Sequence, residues 1–325
     1  MTVASAEGSP GVTGAEEITS FGDRLAERVV ARESQLVLGL DPDPDRLWPA
    51  AIRRAETKGT AAAPPATRAA RAVAAHCALA IEAAGEHCVA MKLQVACFER
   101  LGAPGWTVLA ETAARAREHG LLVIADAKRG DVEVTAAAYA QAFLGETPTP
   151  FGPIPGLGVD ALTVNPLLGR DSLEPFTTAA RAHARGLFVL VRTSNPGARD
   201  VQERSLADGG SVSDALAALV AELGSSGTGR SGLSDIGAVV GATAPDRLRA
   251  LREQMPHAPF LLPGVGAQGG RVEQLAPAFV SGPAGALIAA SRGIVAAHEQ
   301  TGGDPAVAAA REARRLRELA WRLAA

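Results

Sequence analysis

The chain has 325 residues, 47% of them hydrophobic and only 4% aromatic, and its 32 Lys and Arg against 35 Asp and Glu leave a net charge of −3. A chain of this length can bury a large core, here built mainly from Ala, Val and Leu, while the near-balanced charge excludes the basic stripe of a nucleic-acid binder and the polybasic patch of a membrane-surface protein. No apolar run approaches the about 18 residues of a membrane span, and three cysteines (Cys77, Cys88, Cys97) are too few and too irregularly spaced for a disulfide framework or a zinc site, so they read as reduced packing residues of a cytoplasmic protein.

In chain order, residues 1–17 (MTVASAEGSPGVTGAEE) are small and polar and lack the basic start and apolar stretch of a signal peptide, which predicts a disordered tail ahead of one domain over 18–325. A helix ending near residue 33 follows and is placed to close the bottom of a barrel. Thr19 or Ser20 would cap its start, and Asp23, three residues after Ser20, fits a capping box. Eight short Val/Leu/Ile-rich runs then recur: 35–41, 88–94, 121–127, 161–165, 187–193, 236–243, 259–265 and 285–291. They are continuous rather than alternating, as strands covered on both faces are. Helical patterns separate them at 67–84, 106–118, 132–143, 171–184, 211–223, 245–254 and 271–278, and a last helix at 304–323 carries Arg on one face. Eight strand–helix units predict a single (β/α)8 TIM barrel. A doubly wound dinucleotide fold would want a Gly-rich turn after the first strand, where GLDPDPDRLWP stands instead. Three long insertions, 53–66, 145–159 and 224–235, are rich in Pro, Gly, Ala or Ser, and 195–210, after strand 5, is placed to act as a mobile cover.

Barrel chemistry sits at the carboxyl ends of the strands. Strand 1 ends in Asp41, strand 2 in Lys92 and Gln94, strand 3 in Asp126 and Lys128, and strand 5 in RTSNPG (192–197). Strand 7 ends in PGVGAQGG (263–270) and strand 8 in SRG (291–293), the loop pair that commonly takes phosphate in this fold. Gly264, Gly266, Gly269 and Gly270 either let backbone N–H groups reach an anion or merely make a tight turn, and Arg292 adds a forked charge. Asp126 and Lys128, two apart at a strand end, point the same way, with Lys92 on the next strand. Asp131 starts the following helix, where an N-cap is its plain role. An ion-pair network tying strand to helix is one reading of these charges. The cost of gathering them in a water-poor mouth favours a functional one.

DAKRGDV (126–132), with MKLQVACFE (91–99) upstream and PGVGAQGG and SRG downstream, resembles the orotidine 5′-phosphate decarboxylases over about residues 20–300. The insertions and the RTSNPG form resemble the longer bacterial branch of that family. The resemblance implies a Lys-Asp-Lys-Asp array of Lys92, Asp126, Lys128 and Asp131, with Asp131 supplied across a homodimer interface and Thr135 also reaching the partner's site. It further implies a ribose-hydroxyl contact at Asp41, a pyrimidine contact at Ser194, and phosphate contacts at Gln268 and Arg292, beside Gly293. The implied reaction turns orotidine 5′-phosphate into UMP and CO2 in de novo pyrimidine biosynthesis, with no cofactor and no metal.

Two other readings compete. One is a magnesium-dependent sugar-phosphate synthase or decarboxylase of the same barrel superfamily. Such relatives place a carboxylate metal ligand near the end of strand 2, where this chain has Lys92, whose charge opposes a divalent ion. The other is a non-catalytic nucleotide-phosphate sensor, which predicts a disrupted array, whereas all four positions are intact. The six histidines fall on helices or helix ends, none pairs at ligand spacing, and they read as surface or packing residues.

Overall fold

The computed structural model describes residues 19–56, 62–266 and 268–324, so the expected tail at 1–17 and part of the 53–66 insertion lie outside it. Eight strands close into one barrel: β1 Leu36–Leu40, β2 Ala90–Gln94, β3 Leu122–Arg129, β4 Ala161–Val164, β5 Gly186–Arg192, β6 Ile236–Val240, β7 Phe260–Pro263 and β8 Ala286–Ala290. All neighbours pair in parallel, and β1 closes on β8 through Leu36↔Ile288 and Val37↔Ala289. The period of two along each strand sorts the side chains. Leu36, Leu38, Met91, Leu93, Val123, Ala125, Leu162 and Val164 face the helices and join their core. Val37, Ala90, Leu122, Ile124, Ala161, Phe188, Val239, Leu261 and Leu287 fill the barrel axis. Because both faces are covered, the strands read as unbroken apolar runs.

The first helix, Phe21–Arg32, closes the bottom as expected. Its Phe21, Leu25 and Val29 belong to the axial cluster. The Phe21 ring meets Phe188 edge-on at 6.1 Å, and Gly186 permits the approach, since a Cβ there would lie 2.3 Å from Phe21 Cδ1. Ser20 is the N-cap, accepting from the Asp23 N–H at 3.1 Å. The capping box is only half made, because the Asp23 carboxylate accepts instead from the Ser231 N–H at 2.7 Å and fastens the 224–235 insertion under the barrel.

Other departures have local causes. The helix expected at 271–278 is two 3-10 turns, Val272–Gln274 and Ala276–Phe279. Pro277 lacks the N–H an α-helix would need there and clashes with the preceding turn. Part of the 145–159 insertion is a small antiparallel hairpin, Glu146–Thr147 with Ile154–Pro155. After β1, a 3-10 turn at Pro44–Arg46 and a helix at Pro49–Ala55, the latter opened by Pro49, occupy what read as loop. The 195–210 segment carries a short helix, Ala198–Val201. It is fastened to β5 by Gln202, which accepts from the Thr193 N–H at 2.7 Å, and by a Glu203–Arg192 pair at 2.6 Å. Among the described residues, no helix is long and apolar enough to cross a membrane. Cys77 and Cys88 are buried in the helix layer, where burial pushes both thiols up to about 12.

Candidate active site

A cavity of about 350 Å³ opens at the carboxyl ends of the strands, and Asp41, Lys92, Asp126, Lys128, Ser194, Gln268 and Arg292 all line it. At its floor, Lys92 Nζ lies 2.8 Å from Asp126 Oδ2 and 3.7 Å from Asp41 Oδ1. Lys128 Nζ donates to the other Asp126 oxygen at 2.5 Å. Lys92 is 6% exposed. Burial alone would discharge both it and Asp126; their mutual attraction reverses this. The Asp126 and Asp41 carboxylates raise the Lys92 pKa against the pull of burial. Likewise burial opposes ionisation of Asp126, yet Lys92 and Lys128 hold its carboxyl well below the usual carboxylate range. The floor is a lysine–aspartate–lysine row in which Lys92 and Asp126 hold each other ionised.

Strand alternation alone does not aim Lys128. The β3–β4 register slips between Ala125 and Arg129, and Lys128 takes a left-handed φ of 48°. Thr163, fully buried on β4, receives the Lys128 N–H at 2.9 Å and donates to Asp126 Oδ1 at 3.0 Å. Gln94, with its amide nitrogen toward Asp126, donates to that residue's carbonyl at 2.7 Å and to Oδ2 at 3.1 Å. Arg129, in the middle of the charged motif, turns away from the cavity. It stacks over Tyr139 at 5.3 Å and Phe143 at 5.4 Å and pairs with Glu99. Its role is to tie the strand end to the helices.

Across the mouth, Ser194 is wedged between two glycines: a Cβ at Gly241 would lie 2.7 Å from Ser194 Cα, and one at Gly264 would lie 3.1 Å from Ser194 Cβ. Thr243 Oγ1 donates to the Ser194 carbonyl at 3.0 Å. The loop after β7 decides between the two readings of its glycines. Gly266, Gly269 and Gly270 spend their N–H groups inside the loop, on the carbonyls of Gly270, Gly266 and Gly264. They shape the turn and do not offer those donors to an anion. The polar side chains there are Gln268 and Arg292, and Arg292 is exposed with no ion-pair partner among the described residues.

Asp131, Thr135 and Gly293 do not line this cavity. Asp131 is not the N-cap either: the helix runs Glu133–Phe143 with Val132 at the cap position, and Asp131 accepts from the Val132 N–H at 2.8 Å. Thr135 is exposed on the first turn of that helix. Around them Val132 (45% exposed), Val134 (81%), Leu167 (76%) and Leu168 (52%) form an uncovered apolar surface. Gly130 packs against Asn165, which brings the two loops together.

Thr163 and the contact made by Gln94 were not apparent in the sequence. The only signal for Thr163 was a hydroxyl at an inward position of the apolar run ALTVN. His76 is a packing residue, as expected: its Nδ1 accepts from the Trp48 N–H at 3.1 Å, and burial, helped by His298, lowers its pKa to about 4. Among the described residues, no group of three or more His, Cys, Asp or Glu side chains converges as metal ligands would.

A closed (β/α)8 barrel with a charged row at the ends of β2 and β3, and an exposed arginine after β8, defines a barrel enzyme. Residues 34–310 match the orotidine 5′-phosphate decarboxylase / HUMPS family, and the chain belongs to that family. It is 40% identical over 284 residues to an orotidine 5′-phosphate decarboxylase of Rhodopirellula baltica, covering 86% of this chain and 90% of that protein. A decarboxylase of the same name from Deinococcus radiodurans is 42% identical over 276 residues, covering 85% of this chain and 89% of that one. The solved structure of Leishmania donovani OMP decarboxylase superposes with a TM-score of 0.68 at 31% identity, covering 93% of this chain and 99% of that chain.

Proposed function

We propose that the chain decarboxylates orotidine 5′-phosphate to UMP and CO2, a step of de novo pyrimidine biosynthesis. The observation that carries this reading is the Lys92–Asp126–Lys128 row on the floor of a cavity whose far rim holds Ser194, Gln268 and Arg292. Loss of CO2 from the substrate leaves an electron pair at C6 of the pyrimidine. Lys128 faces that developing charge as an ammonium and then gives C6 a proton, to be recharged from water. Asp126 stands against the substrate carboxylate and disfavours the bound reactant relative to the transition state. Lys92 keeps Asp126 ionised. Asp41 takes the ribose hydroxyls and Ser194 the pyrimidine edge. Gln268 and Arg292, beside Gly293, take the phosphate, whose binding energy orients the ring.

The same reading makes the protein a homodimer. Asp131 sits half-buried beside the uncovered Val132, Val134, Leu167 and Leu168, the kind of surface a second copy would cover. In that pairing Asp131 and Thr135 enter the partner's cavity, and the partner's Asp131 completes the array beside Lys128. The reading requires no metal, cofactor or nucleic acid and suits a cytoplasmic enzyme. The test is the fall in ultraviolet absorbance when purified protein meets orotidine 5′-phosphate, run with and without a chelator. Turnover unaffected by the chelator is expected. A chelator-sensitive rate would point instead to a metal-dependent relative, and no turnover in either arm would sink the reading.

A further inference from the structure

We infer that Thr163 is a positioning residue of this site, whose hydroxyl sets both the turn that aims Lys128 and the rotamer of Asp126. The inference rests on the reading of Asp126 and Lys128 given above. Thr163 lies one step below the mouth on the inward face of β4, with no exposed surface, and is not among the residues lining the cavity. It therefore touches no ligand directly. Its Oγ1 is used twice, accepting from the Lys128 N–H at 2.9 Å and donating to Asp126 Oδ1 at 3.0 Å.

Each bond answers a specific need. Where the β3–β4 register slips between Ala125 and Arg129, the Lys128 N–H loses a place in the backbone ladder. An N–H that faces the protein interior without a partner is costly. The left-handed φ of 48° at a lysine carries its own strain. A hydroxyl delivered from the neighbouring strand takes that N–H and makes the bulge tenable. The second bond fixes the carboxylate. Asp126 Oδ2 is held by Lys92 and Gln94, and Oδ1 by Lys128 and Thr163. Lys128 must leave its place to deliver a proton. Thr163 is then the donor that keeps Oδ1 from swinging after it. A threonine suits the position because its methyl fills apolar space while its hydroxyl both gives and accepts.

The experiment compares Thr163→Val, which keeps the shape and removes the hydroxyl, with Thr163→Ser, which keeps the hydroxyl and removes the methyl. Lys128→Ala serves as reference. Thr163→Val is expected to lower kcat by about tenfold to a hundredfold while binding UMP within about twofold of the unaltered protein. It should also move the acid limb of the pH profile to higher pH, because the ionised Asp126 has lost a donor. Thr163→Ser is expected to restore both the rate and the limb. If Val and Ser variants are equally slow, or if Val leaves kcat and the acid limb unchanged while only the melting temperature falls, the inference is overturned. Should Thr163→Val fail to fold, Thr163→Ala against Thr163→Ser makes the same comparison, and equal loss in both has the same meaning. Full activity in Lys128→Ala would remove the underlying reading instead, whatever the Thr163 variants do.

Discussion

Lys92 Nζ lies 2.8 Å from Asp126 Oδ2 with almost none of the lysine exposed, so each charge is a main support of the other against burial. The Asp126 pKa is lowered from 3.8 and the Lys92 pKa is raised from 10.5, in both cases against the effect of burial. A lowered acid stabilises the fold above its unfolded pKa and loses that contribution as pH falls through the folded value. A raised base stabilises below its unfolded pKa and loses it as pH rises through the folded value. The pair is therefore intact across the whole span between those limits. Replacing Lys92 with Met leaves Asp126 a single cation, so its carboxyl should take a proton at higher pH. The variant is expected to lose at least about a hundredfold in turnover and to begin acid unfolding at a higher pH than the unaltered protein. Thermal melts across a pH series check this, and superimposable acid limbs would contradict it.

Arg292→Ala removes the exposed cation at the end of β8. Use of orotidine 5′-phosphate should fall by about two to three orders of magnitude in kcat/KM. The slow decarboxylation of the phosphate-free nucleoside, which never makes this contact, should change little. Parallel loss for both substrates would place Arg292 in the fold or at the ring.

Sharing of Asp131 between copies has an arithmetic signature. Lys128→Ala and Asp131→Ala homodimers should each be nearly inactive. In a mixed dimer one site collects both defects and the other collects neither. Random remixing makes about half of the dimers mixed, so about a quarter of all sites should recover. Absence of recovery after subunit exchange would confine Asp131 to its own chain.

Arg252 makes a prediction about stability alone. It is buried under the barrel with no carboxylate partner among the described residues, giving hydrogen bonds to the carbonyls of Met255, Ala258 and Gly285, each at 2.8 Å, and stacking 3.6 Å over Phe260. Arg252→Met strands those carbonyls and is expected to cost about 3 kcal/mol of stability, with kcat per folded molecule unchanged. Arg252→Lys should recover only part, because one ammonium replaces a planar fork. Denaturant unfolding and active-site titration separate the two effects.

The eight strands were legible because a covered barrel strand has no polar side, and a run such as LLVIADA shows this directly. The charged floor was legible because Lys92, Asp126 and Lys128 interrupt such runs at the same end. Thr163 was hidden for the same reason that it works: a β-branched residue inside ALTVN reads as strand filler, and only the register slip opposite it reveals a hydroxyl with two partners. The glycine loop after β7 was ambiguous in the sequence. Glycines that could offer N–H groups to an anion turned out to bond to one another. Asp131 and Thr135 stand outside the cavity of a single chain, and the role proposed for them depends on a second copy, which one chain's periodicity does not encode.

The helix Phe21–Arg32 drives Phe21 into the axis against Phe188, beneath a column of Val37, Ile124, Leu261 and Leu287. A barrel plugged at this end resembles a sac, with the cavity at the carboxyl ends of its strands as the doorway. In the proposed reaction, substrate, carbon dioxide and product would all share the opening lined by Ser194, Gln268 and Arg292. A cover over that doorway would slow arrival and departure together, so traffic through it would set the pace wherever the chemistry is fast.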